Sequence, residues 1–328
     1  MRKIYLALLA CSALVFSCKK QDSSSKELPE TAATAELVQR HCAAQLVLEQ
    51  QLAADPDMRS RRQALEESTR RFIESKDARL VNGVLEIPVI VNVIYRTAAE
   101  NISQAQIQSQ IDVLNEDFGN TNADRFNVPL EFQDEQATVG IRFVLAGINR
   151  KSNSKRSWSL NDDMKRSSKG GIDPTDPAHN LNIWVVNKMT YMGGTILGYA
   201  QFPGGSLATD GVVIGYNFFG RTGTVSAPYN KGRTATHEVG HWMNLAHIWG
   251  DATCGNDAVS DTPPHNAPNY GCPSYPHRST CSGTPVEMTM NYMDYTDDGC
   301  MYMFSNGQSA RMKATFFAAN APRASFAQ

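Results

Sequence analysis

An excess of charge of either sign is missing from this sequence: 31 Lys and Arg stand against 33 Asp and Glu, a formal net charge of −2. Neutralising a phosphate backbone needs a basic excess, so no nucleic-acid partner is expected. Long apolar runs are missing too. The longest, residues 4–16, falls short of the roughly 18–20 residues that cross a bilayer, which argues against a transmembrane protein. No internal repeat is present. Histidine is scarce, seven in 328 residues, so three of them close together carry information. Hydrophobic residues make up 41% of the chain, enough for a sizeable core and too many for a disordered or fibrous protein.

What is present begins with an export signal. Arg2 and Lys3 precede the apolar run, and small Ser17 and Cys18 follow it, so residues 1–17 read as a signal peptide and the product as secreted or cell-surface. Val15, Phe16, Ser17 and Cys18 fit a relaxed lipobox, with Cys18 lipidated as the sole membrane attachment. They also fit an ordinary signal cut near Ser17 with Cys18 incidental, since Phe16 is not the usual small residue. Residues 18–30 are polar and Ser-rich, a flexible tether. Export implies an oxidising compartment in which cysteines pair. Cys254, Cys272, Cys281 and Cys300 cluster near the C-terminus and allow three connectivities, which leaves Cys42 alone.

Residues 31–79 have a helical pattern, with Asp55 and Pro56 marking a break between two helices. Arg59, Arg61, Arg62, Arg70, Arg71 and Arg79 lie on this segment either as sites for processing or as a solvated face. From residue 80 the grammar changes. Residues 81–95 are β-branched and continuous, as in a strand buried on both faces. Ile107, Ile111, Leu114 and Phe118 then recur at helical spacing, and Ser103 with Gln106 predicts a capping box. Strands are expected over 141–146, 181–187 and 211–216, and a closing helix over 306–319. The order predicts an α/β (α+β) catalytic domain over 80–328 with a twisted, mostly parallel sheet. Its first part, 80–247, ends in a metal-motif helix. Its second, 248–328, is rich in Pro, Gly, Asn, Asp and Cys, and needs disulfides or metal ions to hold it.

The segment that carries chemistry runs Thr236, His237, Glu238, Val239, Gly240, His241, then on to His247. On a helix, His237 and His241 at i and i+4 share one face and reach one zinc. His247 is the third ligand. Three neutral ligands leave a position where water binds and loses acidity, with Glu238 beside it as base. A structural zinc would be closed by a fourth ligand and has no need of Glu238.

This pattern resembles the metzincin metalloproteases, whose motif is H-E-x-x-H-x-x-G-x-x-H followed by a methionine turn. Asn244 stands at the glycine, a position where the chain must turn with φ > 0; asparagine is among the residues that tolerate it. Asn291, Tyr292, Met293, Asp294 and Tyr295 match the methionine turn. The resemblance makes Met293 the base beneath the ligands and Tyr295 a zinc ligand or an oxyanion donor.

The wording around the motif, the cysteine spacing and the turn together are similar to the pappalysin family over about residues 80–319. That resemblance implies a zinc endopeptidase made as a zymogen, with disulfides Cys254 to Cys281 and Cys272 to Cys300. It also implies calcium in loop 256–262, where Asp257, Asp261 and Thr262 offer hard oxygen ligands; the bland alternative is a polar loop with Asx turns. It gives Cys42 a role as the thiolate that blocks zinc before activation. Arg40, His41 and Cys42 begin as that motif does, while Ala43 and Ala44 depart from it; the alternative is a free or intermolecularly paired cysteine.

Gly198, Tyr199 and Ala200 lie where metzincins pair a sheet edge with an extended peptide, so protein or peptide substrates are the expected partners of a monomer. The resemblance leans toward cleavage before Arg or Lys, as its relatives cleave; Met301 and Met303, which fall where the specificity pocket is walled, weaken that lean without reversing it. A surface-anchored adhesion module with a structural zinc and an amidase for small peptide-like substrates are the rival readings. The first leaves Glu238 without purpose, and the second shares the chemistry.

Overall fold

The computed structural model describes residues 39–75 and 83–327. The signal, tether, Cys18 and Arg79 readings lie outside these residues. Val38–Gln328 is one compact unit. Two helices open it, α1 (Ala44–Ala54) and α2 (Met58–Glu74), separated at Asp55 and Pro56.

The sheet is built from β1 (Leu85–Tyr95), β2 (Ile141–Ser152), β3 (Leu181–Val186), β6 (Gly198–Ala200) and β7 (Val212–Gly215), in the order β2-β1-β3-β7-β6. A small hairpin, β4 (Met189–Tyr191) and β5 (Gly194–Ile196), precedes the edge strand. All pairings in the large sheet are parallel except β6 with β7. β1 sits inside it and buries Ile87, Val89, Val91 and Val93 on one face and Ile90, Asn92 and Ile94 on the other, as expected where both faces are covered. The layer on one face comprises α3 (Gln104–Phe118) and α4 (Arg233–Trp242); α5 (Asn306–Phe317) closes the C-terminal region. One large core joins Phe118, Phe143, Ile183 and Val239 to Met293, Phe304 and Phe316.

Two sequence expectations differ in detail. At α3, Ser103 Oγ accepts from Gln106 N at 3.1 Å. The reciprocal half of the capping box is absent, because Gln106 Oε1, the acceptor it needs, is taken by the amide and hydroxyl of Thr224, both at 3.1 Å, while the Gln106 amide donates to the carbonyls of Tyr216 and Phe219 at 3.0 and 2.9 Å. A true capping box does form at α5, between Ser305 and Gln308. Strand β2 extends six residues beyond the predicted end at 146, through Ser152, because it continues to pair with β1 past a bulge at Val89 and Ile90. Cys254 is bonded to Cys281 and Cys272 to Cys300, tying the loops after α4 together.

Candidate active site

Helix α4 carries His237 and His241 one turn apart, both fully buried. It stops through a C-terminal turn in which Leu245 N donates to Gly240 O at 3.0 Å and Asn244 N to His241 O at 2.9 Å. Asn244 takes φ 71°, the left-handed conformation that the glycine of the motif supplies at lower cost. This turn redirects the chain so that His247 returns to the other two histidines.

The ring tautomers follow from their partners. His237 Nδ1 lies 2.7 Å from Tyr292 O, and His241 Nδ1 lies 2.7 Å from Leu245 O. A carbonyl only accepts, so each Nδ1 carries the proton and each Nε2 presents a lone pair. His247 Nδ1 is 2.5 Å from Asp251 Oδ1, which has the same effect, and its ring stacks on Trp249. His241 Nε2 is then 3.1 Å from both His237 Nε2 and His247 Nε2. Lone pairs this close repel unless a cation lies between them, and the spacing suits a zinc bound at roughly 2.0–2.1 Å. Burial holds the His237 and His241 imidazoles well below their usual range, with the neighbouring histidines adding to it, so both stay neutral and able to ligate.

The fourth corner is Cys42. Its sulfur and the ligand atoms of His237, His241 and His247 all lie within 4.8 Å of one another; among the described residues no other group of three or more His, Cys, Asp or Glu does so. Cys42 Sγ donates to Glu238 Oε2 at 3.2 Å. Burial pushes the Glu238 carboxyl up to about 8, partly opposed by the Cys42 contact and Arg40. Tyr295 Oη lies 3.3 Å from both the Cys42 amide nitrogen and its carbonyl oxygen, so here the phenol holds the Cys42 backbone.

Residues 41–43 add to the free edge of β6 in a parallel sense: Leu197 N donates to His41 O at 3.0 Å, and Ala43 N to Gly198 O at 3.1 Å. Gly198 is needed at this point, because a Cβ there would stand 2.8 Å from Glu238 Cγ. Gly240 is needed for a similar reason. A Cβ there would stand 2.5 Å from Met293 Sδ, so the methionine turn packs directly against the backbone of α4 between the two histidines.

Three features were not read from the sequence. Asp117 on α3 accepts from Thr236 Oγ1 at 2.7 Å and from Tyr292 Oη at 2.9 Å, pinning the residues beside His237 and Met293 to one carboxylate. Asp298, fully buried, receives the Arg40 guanidinium at 2.6 Å, and Arg40 also lies over the Tyr229 ring. Met301 and Met303, placed at the specificity pocket by sequence, lie buried in the main core, and the charge that meets Arg40 is Asp298. Glu66 on α2 reaches Asn244 and Arg311. A charged residue between Tyr295 and Cys300 was the available signal for Asp298; nothing local marks the others. Of the calcium candidates, Asp257 accepts from Thr262 Oγ1 at 2.8 Å, whereas Asp261 is engaged by Ser305 Oγ and Gly307 N, both at 2.6 Å, at the start of α5.

Three histidines with inward lone pairs, a glutamate beside them and a methionine turn beneath define a metzincin-type zinc protease. The family profile described as Pregnancy-associated plasma protein-A matches residues 169–317. Extracellular metalloprotease 1 of Coccidioides posadasii is 34% identical over 246 residues, covering 70% of this chain and 78% of its own length. A solved structure of a Tannerella forsythia promirolysin mutant, 42% identical, superimposes with a TM-score of 0.79 over 88% of this chain and 97% of that one. Mature mirolysin from the same organism, in complex with a cleaved peptide, gives 0.71 at 45% identity over 75% of this chain and 96% of its own. The chain belongs to the pappalysin family of metalloproteases.

Proposed function

We propose that this chain is a secreted zinc endopeptidase made as a zymogen, with residues 31–79 as its pro-segment and 80–328 as its catalytic domain. His237, His241 and His247 hold the zinc, which when bound supplies a Lewis acid that makes water nucleophilic at neutral pH. Glu238 takes the proton from that water at Oε2 and delivers it to the departing amine. Once Cys42 leaves, the Tyr295 hydroxyl is free to donate to the developing oxyanion.

The observation that carries the reading is the place of Cys42 Sγ: beside three histidine lone pairs and 3.2 Å from Glu238 Oε2. A thiolate there excludes water from the position Glu238 serves. The parallel pairing of residues 41–43 with β6 supports a pro-segment that lies in the cleft without presenting a scissile bond. Substrate peptide takes the same edge in extended form.

A preference for Arg or Lys on the C-terminal side of the cut also belongs here. Its support is the buried Asp298 carboxylate, engaged by Arg40 two residues before Cys42. Calcium at Asp257, Asp261 and Thr262 rests on their oxygen chemistry, and a lipid at Cys18 on the sequence alone.

Glu238→Gln tests the mechanism: casein hydrolysis by the activated enzyme should fall about 10²- to 10⁴-fold with one zinc per chain retained. Retained hydrolysis at full zinc content would remove Glu238 from the mechanism. Asp298→Asn should selectively slow peptides with Arg after the cut.

A further inference from the structure

Asn244 has a second property besides its backbone angle. Its side chain is buried, with Nδ2 donating to Glu66 Oε1 at 3.0 Å. Both Glu66 oxygens accept from Arg311 Nη2, at 2.6 and 2.7 Å, and Arg311 Nε donates to the Asn244 carbonyl at 2.8 Å. Arg311 is also buried. Asn244 and Arg311 thus belong to the catalytic domain, one on the turn that returns His247 and one on α5, while the carboxylate between them comes from α2. Asn244 Oδ1 has no hydrogen-bond partner, so the side chain is not oriented by a contact within its own domain. Its amide points at Glu66.

We infer that Asn244 and Arg311 form a carboxylate-binding site, filled by Glu66, that holds the pro-segment on the protease independently of Cys42. The inference rests on reading residues 31–79 as the pro-segment. It explains why asparagine stands where glycine would turn the chain with less strain: glycine offers no donor to the carboxylate. The site lies two residues past the end of α4 and grips the pro-segment at α2, on a different element from the stretch before α1 that carries the thiol. Removal of Glu66 leaves a buried guanidinium with a single carbonyl partner, which is the condition that makes a charged pair strong when intact. Other contacts along α2, the bonds of Arg61 to Gly204 O, Arg62 to Pro203 O and Ser68 Oγ to Ala319 O and the packing of Phe72 on Ala314 and Ala318, leave no buried charge behind when broken.

The test uses the full chain, zinc-loaded, in a Glu238→Gln background so that it stays uncut. Amide hydrogen exchange across α2 is compared for this parent and for Glu66→Gln and Asn244→Gly added to it. Exchange in α2 should accelerate about 10- to 100-fold with Glu66→Gln and several-fold with Asn244→Gly. Asn244→Gly is the discriminating variant, since glycine suits φ 71° and the thermal midpoint of the catalytic domain should hold or rise while α2 loosens. Unchanged α2 exchange in both variants, with circular dichroism like the parent, overturns the site. Alkylation of Cys42 by iodoacetamide, followed by mass in the same samples, tests the thiol reading separately. A free-thiol rate in the parent would remove Cys42 from zinc without bearing on the α2 result.

Discussion

Residues 85–215 and residues 248–305 both pack against the same three histidines, and they do so by different means. The first region is a sheet in which β1, β3 and β7 bury Val and Ile, its backbone polar groups satisfied by pairing. The second has almost no regular structure, and its buried groups are often polar. Asn269 Nδ2 donates to Glu287 at 2.8 Å and to Asp294 at 3.0 Å, while Asp294 Oδ1 accepts from the Asn269 and Tyr295 amides, both at 2.8 Å. His265 Nε2 accepts from Met288 N at 3.0 Å. The methionine turn is therefore positioned by side chains that replace strand neighbours, with two disulfides limiting how far the loops can spread. A sheet tolerates little change of volume; a loop of this kind tolerates little loss of a partner.

Substitutions that act on one region alone sharpen the contrast. Ile183→Ala, in the fully buried centre of β3, should cost about 2–5 kcal/mol in denaturant unfolding and lower the stability of the whole domain. Equal protection of the sheet amides in the variant and the parent would count against a single cooperative core. Replacing Cys272 and Cys300 together by Ser should cost about 2–4 kcal/mol, since the bridge closes a separation of 28 residues. Here the expected pattern is local: limited proteolysis within 248–305 with the sheet still protected from exchange.

Gly240→Ala works at the seam between the regions. The added methyl meets Met293 Sδ, and a flexible methionine yields in part, so about 1–3 kcal/mol is expected together with a drop in zinc affinity. A fall in stability with zinc affinity intact would separate the methionine turn from ligand placement.

The smallest effect is a pH slope. Burial pushes the Asp257 carboxyl up to about 6, partly opposed by Thr262. The folded protein then retains a proton between about pH 4 and 6 that the unfolded chain has released, so this group's contribution to stability is present below about pH 4 and is lost as pH rises through 6. Urea midpoints measured from pH 4 to 7 without added calcium should fall less steeply for Asp257→Asn. If the loop binds calcium, adding it should raise the wild-type midpoint more at pH 7 than at pH 5; equal midpoints with and without calcium at both pH values would leave Asp257 a hydrogen-bonding residue only.

The parts legible in sequence were those whose pattern repeats locally. The β-branched run gave β1, the spacing of Ile107, Ile111, Leu114 and Phe118 gave α3, and the break at Asp55 and Pro56 separated α1 from α2. The illegible parts depend on partners far away along the chain. Gln106 fits a capping box by spacing, yet its Oε1 is taken by Thr224, more than a hundred residues on. The contacts of Asp261 with Ser305 and Gly307 at the start of α5, more than forty residues on, likewise have no local trace.

By itself the sequence determined the histidine triad, because the reach of His237 and His241 to one point is a property of helix geometry over four residues, and Asn244 permits the turn that returns His247. A resemblance offered Cys42 for the place beside that triad, and tertiary structure decided the contacts made there. Cys42 meets Glu238 across 196 positions, and Arg40 meets Asp298 across 258. Contacts of that separation leave no periodic trace, since they arise only when β6, α2 and the loops after α4 have packed against one core.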